Sequence, residues 1–292
     1  MPVFRHLRCR VAAALLGLLL ATPALAQPAL WVVRQADSTI YLFGTVHLLP
    51  NDTAWRFPAL DKALAQSGSL TIELTDDDAA NMQALVLRYG LDLSHPLAGK
   101  LSAAENIALT RAATAAGVPG GVRTLQIMRP WLAALTLSLA PLMKAGLDPA
   151  HGVDKLLQAL MLKAGKPVHG LETAEQQIRF LAGLPPAVEL GFLRATLHDV
   201  DKGSSKLAAL IRAWKAGDTA AIARLEEEEL HQNQPLLYQR LLVERNQAWA
   251  AKIAGMLHQP GTTFIAVGAG HLAGPDSVQA QLRKLGIEVV RE

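Results

Sequence analysis

The sequence predicts an α/β (α+β) fold, a small mixed β-sheet formed by strands from the two ends of the chain with a large helical insertion between them. Three observations predict it. Short apolar runs of strand length lie near both ends, at residues 29–34, 39–46, 69–74 and 262–267. From about residue 78 to residue 255 the apolar residues recur at mainly helical spacing. Hydrophobic residues make up 51% of the chain and aromatic ones only 5%, so the core is built largely of Leu, Ala and Val, which favours packed helices.

The first 26 residues stand apart. Arg5, Arg8 and Arg10 form a positive segment, residues 11–20 are an apolar stretch too short to span a bilayer, and Ala24-Leu25-Ala26 has the small-x-small pattern of a signal peptidase site. A signal peptide over residues 1–26 is expected, with cleavage after Ala26. The protein is then periplasmic or secreted, with no stable membrane anchor. Residues 27–292 are expected to form a single domain, long enough for one large core. Lys and Arg number 28 against 25 Asp and Glu, but the leader holds three of the arginines and no acid. The rest is balanced, so net charge gives no reason to expect a nucleic-acid partner. The only cysteine, Cys9, leaves with the leader, which excludes disulfides and thiolate chemistry.

The runs at 29–34 and 39–46 flank Gln35-Ala36-Asp37-Ser38 and predict a β-hairpin. A short helix over 58–66 precedes the strand SLTIEL (69–74), and Thr75-Asp76-Asp77-Asp78 suits a helix N-terminus. Helices are predicted near 78–90, 102–116, 123–145, 152–164, 173–182, 186–200, 204–216, 218–231 and 234–257, interrupted by one strand at 167–171. The chain closes with a strand at 262–267, a helix at 275–285 and a strand at 287–290.

The polar residues at the strand ends form a pattern. His47 comes after YLFGTV, Glu73 closes SLTIEL, Glu172 comes after VHGL and His271 after FIAVGAG. In open α/β sheets ligands bind beyond the carboxyl ends of the strands, so these four groups are expected near one edge. The glycines Gly44 and Gly268 would let the backbone turn sharply or approach a ligand closely. Two imidazoles and a carboxylate suit a divalent metal ion, which polarises a carbonyl and acidifies a bound water; a second carboxylate would serve as general base. One shared ion requires His47 and His271 to lie close together.

Other constellations are absent or weaker. There is no HExxH, GxSxG or Walker loop, and in GAGHLAG the third glycine comes one place too late for a dinucleotide fingerprint. The run Glu226 to Glu229 reads as the solvated face of a helix, Asp76 to Asp78 as a helix cap, and 131–143 as a buried core helix.

The blocks YLFGTVH, TIEL, GVDKLL, GKPVHGLETAEQQ, ERNQAWAAKI and AVGAGHLAGPDSV occur in this order along the chain. Together they resemble the TraB/GumN family, which includes the Tiki proteases. The resemblance implies a metal-dependent, hydrolase-like site centred on His47, His271 and Glu73. It adds Arg245 and Asn246, an Arg to bind a substrate carboxylate or oxyanion and an amide to orient it, and Asp154 and Glu172 with roles left open. It implies a manganese- or cobalt-type ion, with zinc open beside them, and a peptide or small-molecule ligand. A second reading implied by the family is a non-catalytic protein that sequesters a peptide, a signal molecule or a metal compound.

Overall fold

A computed structural model describes residues 27–50, 53–199 and 203–292. The leader expected over residues 1–26 lies outside them. Six strands form one mixed sheet: β1 (Leu30–Gln35), β2 (Ser38–Thr45), β3 (Ser69–Ile72), β4 (Val168–Gly170), β5 (Gly261–Gly268) and β6 (Val290–Arg291), in the order β4-β3-β5-β2-β1-β6. β1 and β2 form the antiparallel hairpin, and β6 pairs antiparallel with β1. β2, β5, β3 and β4 run parallel, with Thr45 beside Gly268 and Ile72 beside Ala266. A strand from the far end of the chain thus sits between two from its start. The carboxyl ends of four strands share one edge.

Both faces of the sheet are covered, as a parallel sheet requires. One face, with Phe43, Leu70, Ile72 and Phe264, packs on Leu60, Val153, Leu157 and Trp214 from three helices. The other, with Trp31, Leu42, Ile265 and Val267, packs on Trp249, Ile253, Val278 and Leu282. The helical insertion has apolar clusters of its own, one around Leu109, Ala133, Leu137 and Leu193 and another around Leu85, Trp131 and Ile178. Trp131 and Ala134 are fully buried, in keeping with a core helix. Among the described residues no helix is long and apolar enough to cross a membrane.

Several helix boundaries arise from local chemistry. Asp78 accepts from the backbone N–H of Ala80 and Asn81, and Ser102 and Thr173 each complete a capping box with the residue three places on. The single helix expected over 123–145 is instead two, Val122–Gln126 and Pro130–Lys144. The residue before a proline is pushed out of the helical region, and Arg129 is extended at φ −65°, ψ 154°. The long helices expected over 218–231 and 234–257 each contain a π-helical turn, Arg224–Glu228 and Gln239–Val243.

Candidate functional site

The strand ends place His47, Glu73, His271 and Glu172 together, and the helix Glu244–Met256 brings Arg245 and Asn246 to them. A crevice of about 430 Å³ at this edge is lined by His47, Glu73, Glu226, Arg245, His271, Gln177 and a wall of Leu139, Leu207, Leu210 and Leu242. A second hollow, about 270 Å³, continues past Thr45, His47 and Glu73 to Asp154, Lys155 and Asp77. The Thr45 hydroxyl, in the wall of both, is buried with no hydrogen-bond partner among the described residues.

Gly268 shows how close the groups stand. A Cβ built on it would lie 3.2 Å from Glu73 Oε1, 3.5 Å from His47 Nε2 and 3.6 Å from His271 Cδ2. Its φ is −49°, so what the site uses is the missing side chain and not an unusual backbone angle. Of the two uses expected of this glycine, the close approach is present, and the strand gives way to a 3-10 turn directly after it.

His47 makes one side-chain hydrogen bond among the described residues, from Nδ1 to Asp154 Oδ1 at 3.1 Å, which leaves Nε2 free. Some 58% of its side chain meets solvent. Desolvation lowers the ring's pKa, but the hydrogen bond to Asp154 and the charges of Glu73, Asp154 and Glu226 outweigh this and push it up to about 9. Asp154, left without a role by the sequence, therefore fixes the orientation of His47.

Glu73 is held from three sides. Gly268 N–H donates to Oε1 at 2.7 Å, while Arg245 Nη2 and Gln177 Nε2 donate to Oε2 at 2.7 and 3.0 Å. Burial opposes its ionisation; the neighbouring His271, Arg245 and His47, with the Gly268 N–H, overcome that and hold the carboxyl below the usual range.

Arg245 is 9% exposed and spends every donor inside the protein. Nε donates to Glu172, Nη1 to Leu241 O and His271 Nε2, and Nη2 to Glu73 and Glu172. An incoming carboxylate or oxyanion therefore finds no free N–H on it. Its guanidinium also lies over the Trp249 ring, 4.7 Å from the centroid. Glu172, its second carboxylate partner, further accepts from Trp249 Nε1 and Gln177 Nε2 and does not line the crevice.

His271 is buried. Its Nε2 accepts from Arg245 Nη1 at 3.1 Å, so Nδ1 carries the proton and donates to Asn246 Oδ1 at 2.6 Å. Asn246 in turn donates to Asp276 O at 2.8 Å, which fixes its amide. The amide thus orients a histidine and not a ligand. Burial pushes His271 down to about 3, with Glu73 opposing and Arg245 and His47 adding to the effect.

These donors fit a divalent ion in their chemistry. His47 presents an unpartnered Nε2, its other nitrogen held by a carboxylate, and would give up its Nε2 proton to an ion; His271 is in the tautomer whose Nε2 accepts, at present from Arg245. Glu73 Oε1 accepts one N–H and keeps a lone pair. In the present arrangement the cation among Glu73, Glu172 and His271 is Arg245, and among the described residues no three His, Cys, Asp or Glu side chains are grouped to hold a metal.

Two crevice residues were not legible. Gln177 bridges Glu73 and Glu172. Glu226, read as part of a solvated acidic run, lies on the first π-helical turn and lines the crevice. A Cβ on Gly270 would fall 2.2 Å from Glu226 Oε2, the far end of an exposed side chain that would turn aside. Desolvation pushes Glu226 up to about 7, His47 opposing and Glu73 adding to it.

A sequence model described as the TraB/PrgY/gumN family matches residues 29–291. The chain is 26% identical to the uncharacterized protein YbaP of Escherichia coli (strain K12), over 88% of this chain and 92% of YbaP. It is equally similar to YbaP of Shigella flexneri, with the same coverage. It is 23% identical to an uncharacterized protein of Treponema pallidum (strain Nichols), over 87% of this chain and 80% of that protein. No solved structure matches.

Proposed function

The chain belongs to the TraB/PrgY/gumN family, and from that premise we propose that it is an exported, metal-dependent hydrolase of peptide-like substrates working in the crevice beyond β2, β3 and β5. The observation that carries this reading is the convergence of His47 Nε2, Glu73 Oε1 and the His271 ring on the space left by the missing side chain of Gly268. His47, His271 and Glu73 would hold the ion, which when bound polarises a carbonyl and lowers the pKa of water. The remaining residues prepare those three. Asp154 turns Nε2 of His47 to the crevice, and Asn246 keeps the lone pair of His271 on Nε2. Arg245 and Gln177 keep Glu73 ionised and leave a lone pair on Oε1, where it binds a cation or receives a proton. Glu172 and Trp249 hold Arg245 in turn. The leucine wall keeps water from the apolar part of a bound ligand.

A second reading, a protein that sequesters a peptide, a signal molecule or a metal compound without cleaving it, is favoured by one observation: all five Arg245 donors are committed, so no guanidinium N–H is open to stabilise an oxyanion. The test is metal content of the purified protein and cleavage of a peptide library with and without added manganese, comparing wild type with His47→Ala, His271→Ala and Glu73→Ala. Metal lost in the histidine variants with cleavage lost in all three supports the hydrolase. Ligand binding without metal or cleavage supports sequestration.

A further inference from the structure

We propose that Glu226 recognises the free amino terminus of a peptide-like ligand whose first side chain is aliphatic. This rests on reading the crevice as the functional site and names the ligand class it takes. Glu226 is the wall shared by the crevice and a further cavity of about 280 Å³ lined by Phe192, Ala195, Leu225 and Leu230 among others. Its carboxylate has no hydrogen bond or ion pair among the described residues. The other carboxylates of the site do: Glu73 and Glu172 hold Arg245, Asp154 holds His47, and Asp77 holds Lys155. The Glu226 side chain is exposed and reaches the crevice beside Gly270, where a Cβ would come within 2.2 Å of its Oε2 and turn it aside.

Charge complementarity says what the carboxylate meets. Along the crevice and the hollow that continues it, Glu73, Glu226, Asp154 and Asp77 stand against Arg245, Lys155 and His47, so the lining keeps one net negative charge even with His47 protonated. An ammonium group offers three donors and one positive charge to an acceptor that has no partner of its own. The group attached to it then faces Leu139, Leu207, Leu210 and Leu242, a surface suited to a branched aliphatic side chain. Glu226 reaches the crevice beside Gly270, whereas His47 and Glu73 meet beside Gly268, so the amine and a metal ion take different places.

The probes are L-leucinamide, with a free ammonium, and N-acetyl-L-leucinamide, without one, titrated into the purified protein and followed by NMR. Leucinamide is expected to bind wild type about tenfold or more tightly than the acetylated probe, and Glu226→Gln to bring leucinamide down to the level of the acetylated probe. Glu226→Asp, which keeps the charge on a shorter arm, is expected to retain part of the difference. Manganese affinity is expected to be the same in wild type and Glu226→Gln. Equal binding of the two probes, no binding of either, or indifference to Glu226→Gln overturns the proposal, and so does loss of manganese binding in Glu226→Gln, which would make the residue a metal ligand. Leucinamide binding without cleavage of any peptide keeps this inference and removes the hydrolase reading. Cleavage that ignores a blocked amino terminus does the reverse.

Discussion

Replacing Arg245 by Met tests the electrostatics of the site most directly. The guanidinium lies 2.7 Å from Glu73 Oε2 and 2.9 Å from Glu172 Oε2, and those two side chains are only 13% and 6% exposed. Breaking a buried pair by removing one partner costs about 3–5 kcal/mol, because the other charge stays buried without compensation. Here two carboxylates are orphaned, but Glu73 keeps the Gly268 and Gln177 donors and Glu172 keeps Trp249 and Gln177. A loss of about 3–4 kcal/mol at pH 7.5 is therefore expected, or roughly 10 °C in Tm for a chain of this size. The sign with pH comes from both proteins. In wild type the folded pKa of Glu73 lies below its ordinary value, so its stabilisation is present above about pH 4.5 and is lost as pH falls further. In the variant burial raises the carboxyl pKa values, so the cost is present at neutral pH and fades as the groups take up protons. The difference between the two proteins must shrink towards pH 4. Urea denaturation at pH 7.5 and 4.5 measures it, and Arg245→Lys, which keeps the charge but loses the planar fork, should fall between wild type and Met. A loss under about 1 kcal/mol at pH 7.5, or an equal loss at both pH values, refutes the reasoning.

Three further outcomes are expected. Glu226→Gln should stabilise the protein at pH 8 and be neutral at pH 4: a folded pKa raised to about 7 means that ionising Glu226 costs stability as pH climbs from about 4.5 through 7, and the amide removes that cost. Discounted for the solvent that still reaches the side chain, the gain is about 1 kcal/mol, read by thermal denaturation at both pH values; a loss at pH 8 would contradict it. Gly270→Ala places a methyl 2.2 Å from Glu226 Oε2, the far end of a flexible exposed side chain that turns aside, so it should cost under about 1 kcal/mol and couple weakly to Glu226→Ala in a double-mutant cycle; a coupling above about 1 kcal/mol would mean that the carboxylate is fixed in place. In the metal-free protein His47 should titrate at about 9 by NMR and nearer its ordinary value in Asp154→Asn; its stabilising contribution is present below about pH 6.5 and lost as pH rises through 9, so a wild-type ring titrating below 7 would remove Asp154 from its role.

The sheet was legible because its strands announce themselves twice, by apolar content and by the polar residue at their carboxyl ends. Phe43 and Leu42 point to opposite faces of β2 and both are buried, so the run carries no polar alternation and reads as an internal strand. Helix starts were legible where a side chain caps them, as Asp78, Ser102 and Thr173 do. The break at Pro130 was missed because apolar periodicity continues across it, although the proline itself was in view. The π-helical turns left no trace, since widening a helix by one residue per turn changes which face a side chain takes without changing composition.

The same distinction separates the parts of the site. His47, Glu73, Glu172 and His271 each lie within three residues of a strand's carboxyl end, and parallel pairing of β2, β5, β3 and β4 carries them to one edge. Glu226 depends on a helix whose register is reset within the π turn that bears it, so neither its place in an acidic run nor helical periodicity predicts its direction. Its nearest mark in the sequence is Gly270, one residue before His271, beside which a carboxylate from 44 residues upstream lies. In GAGH the first glycine therefore leaves space for the strand-end donors, and beside the second lies a side chain from the helical insertion. If Glu226 were idle, an alanine at 270 with a shorter residue at 226 would fold as well and bind leucinamide as tightly; the loss of that binding in a stable double variant is what the assigned role requires.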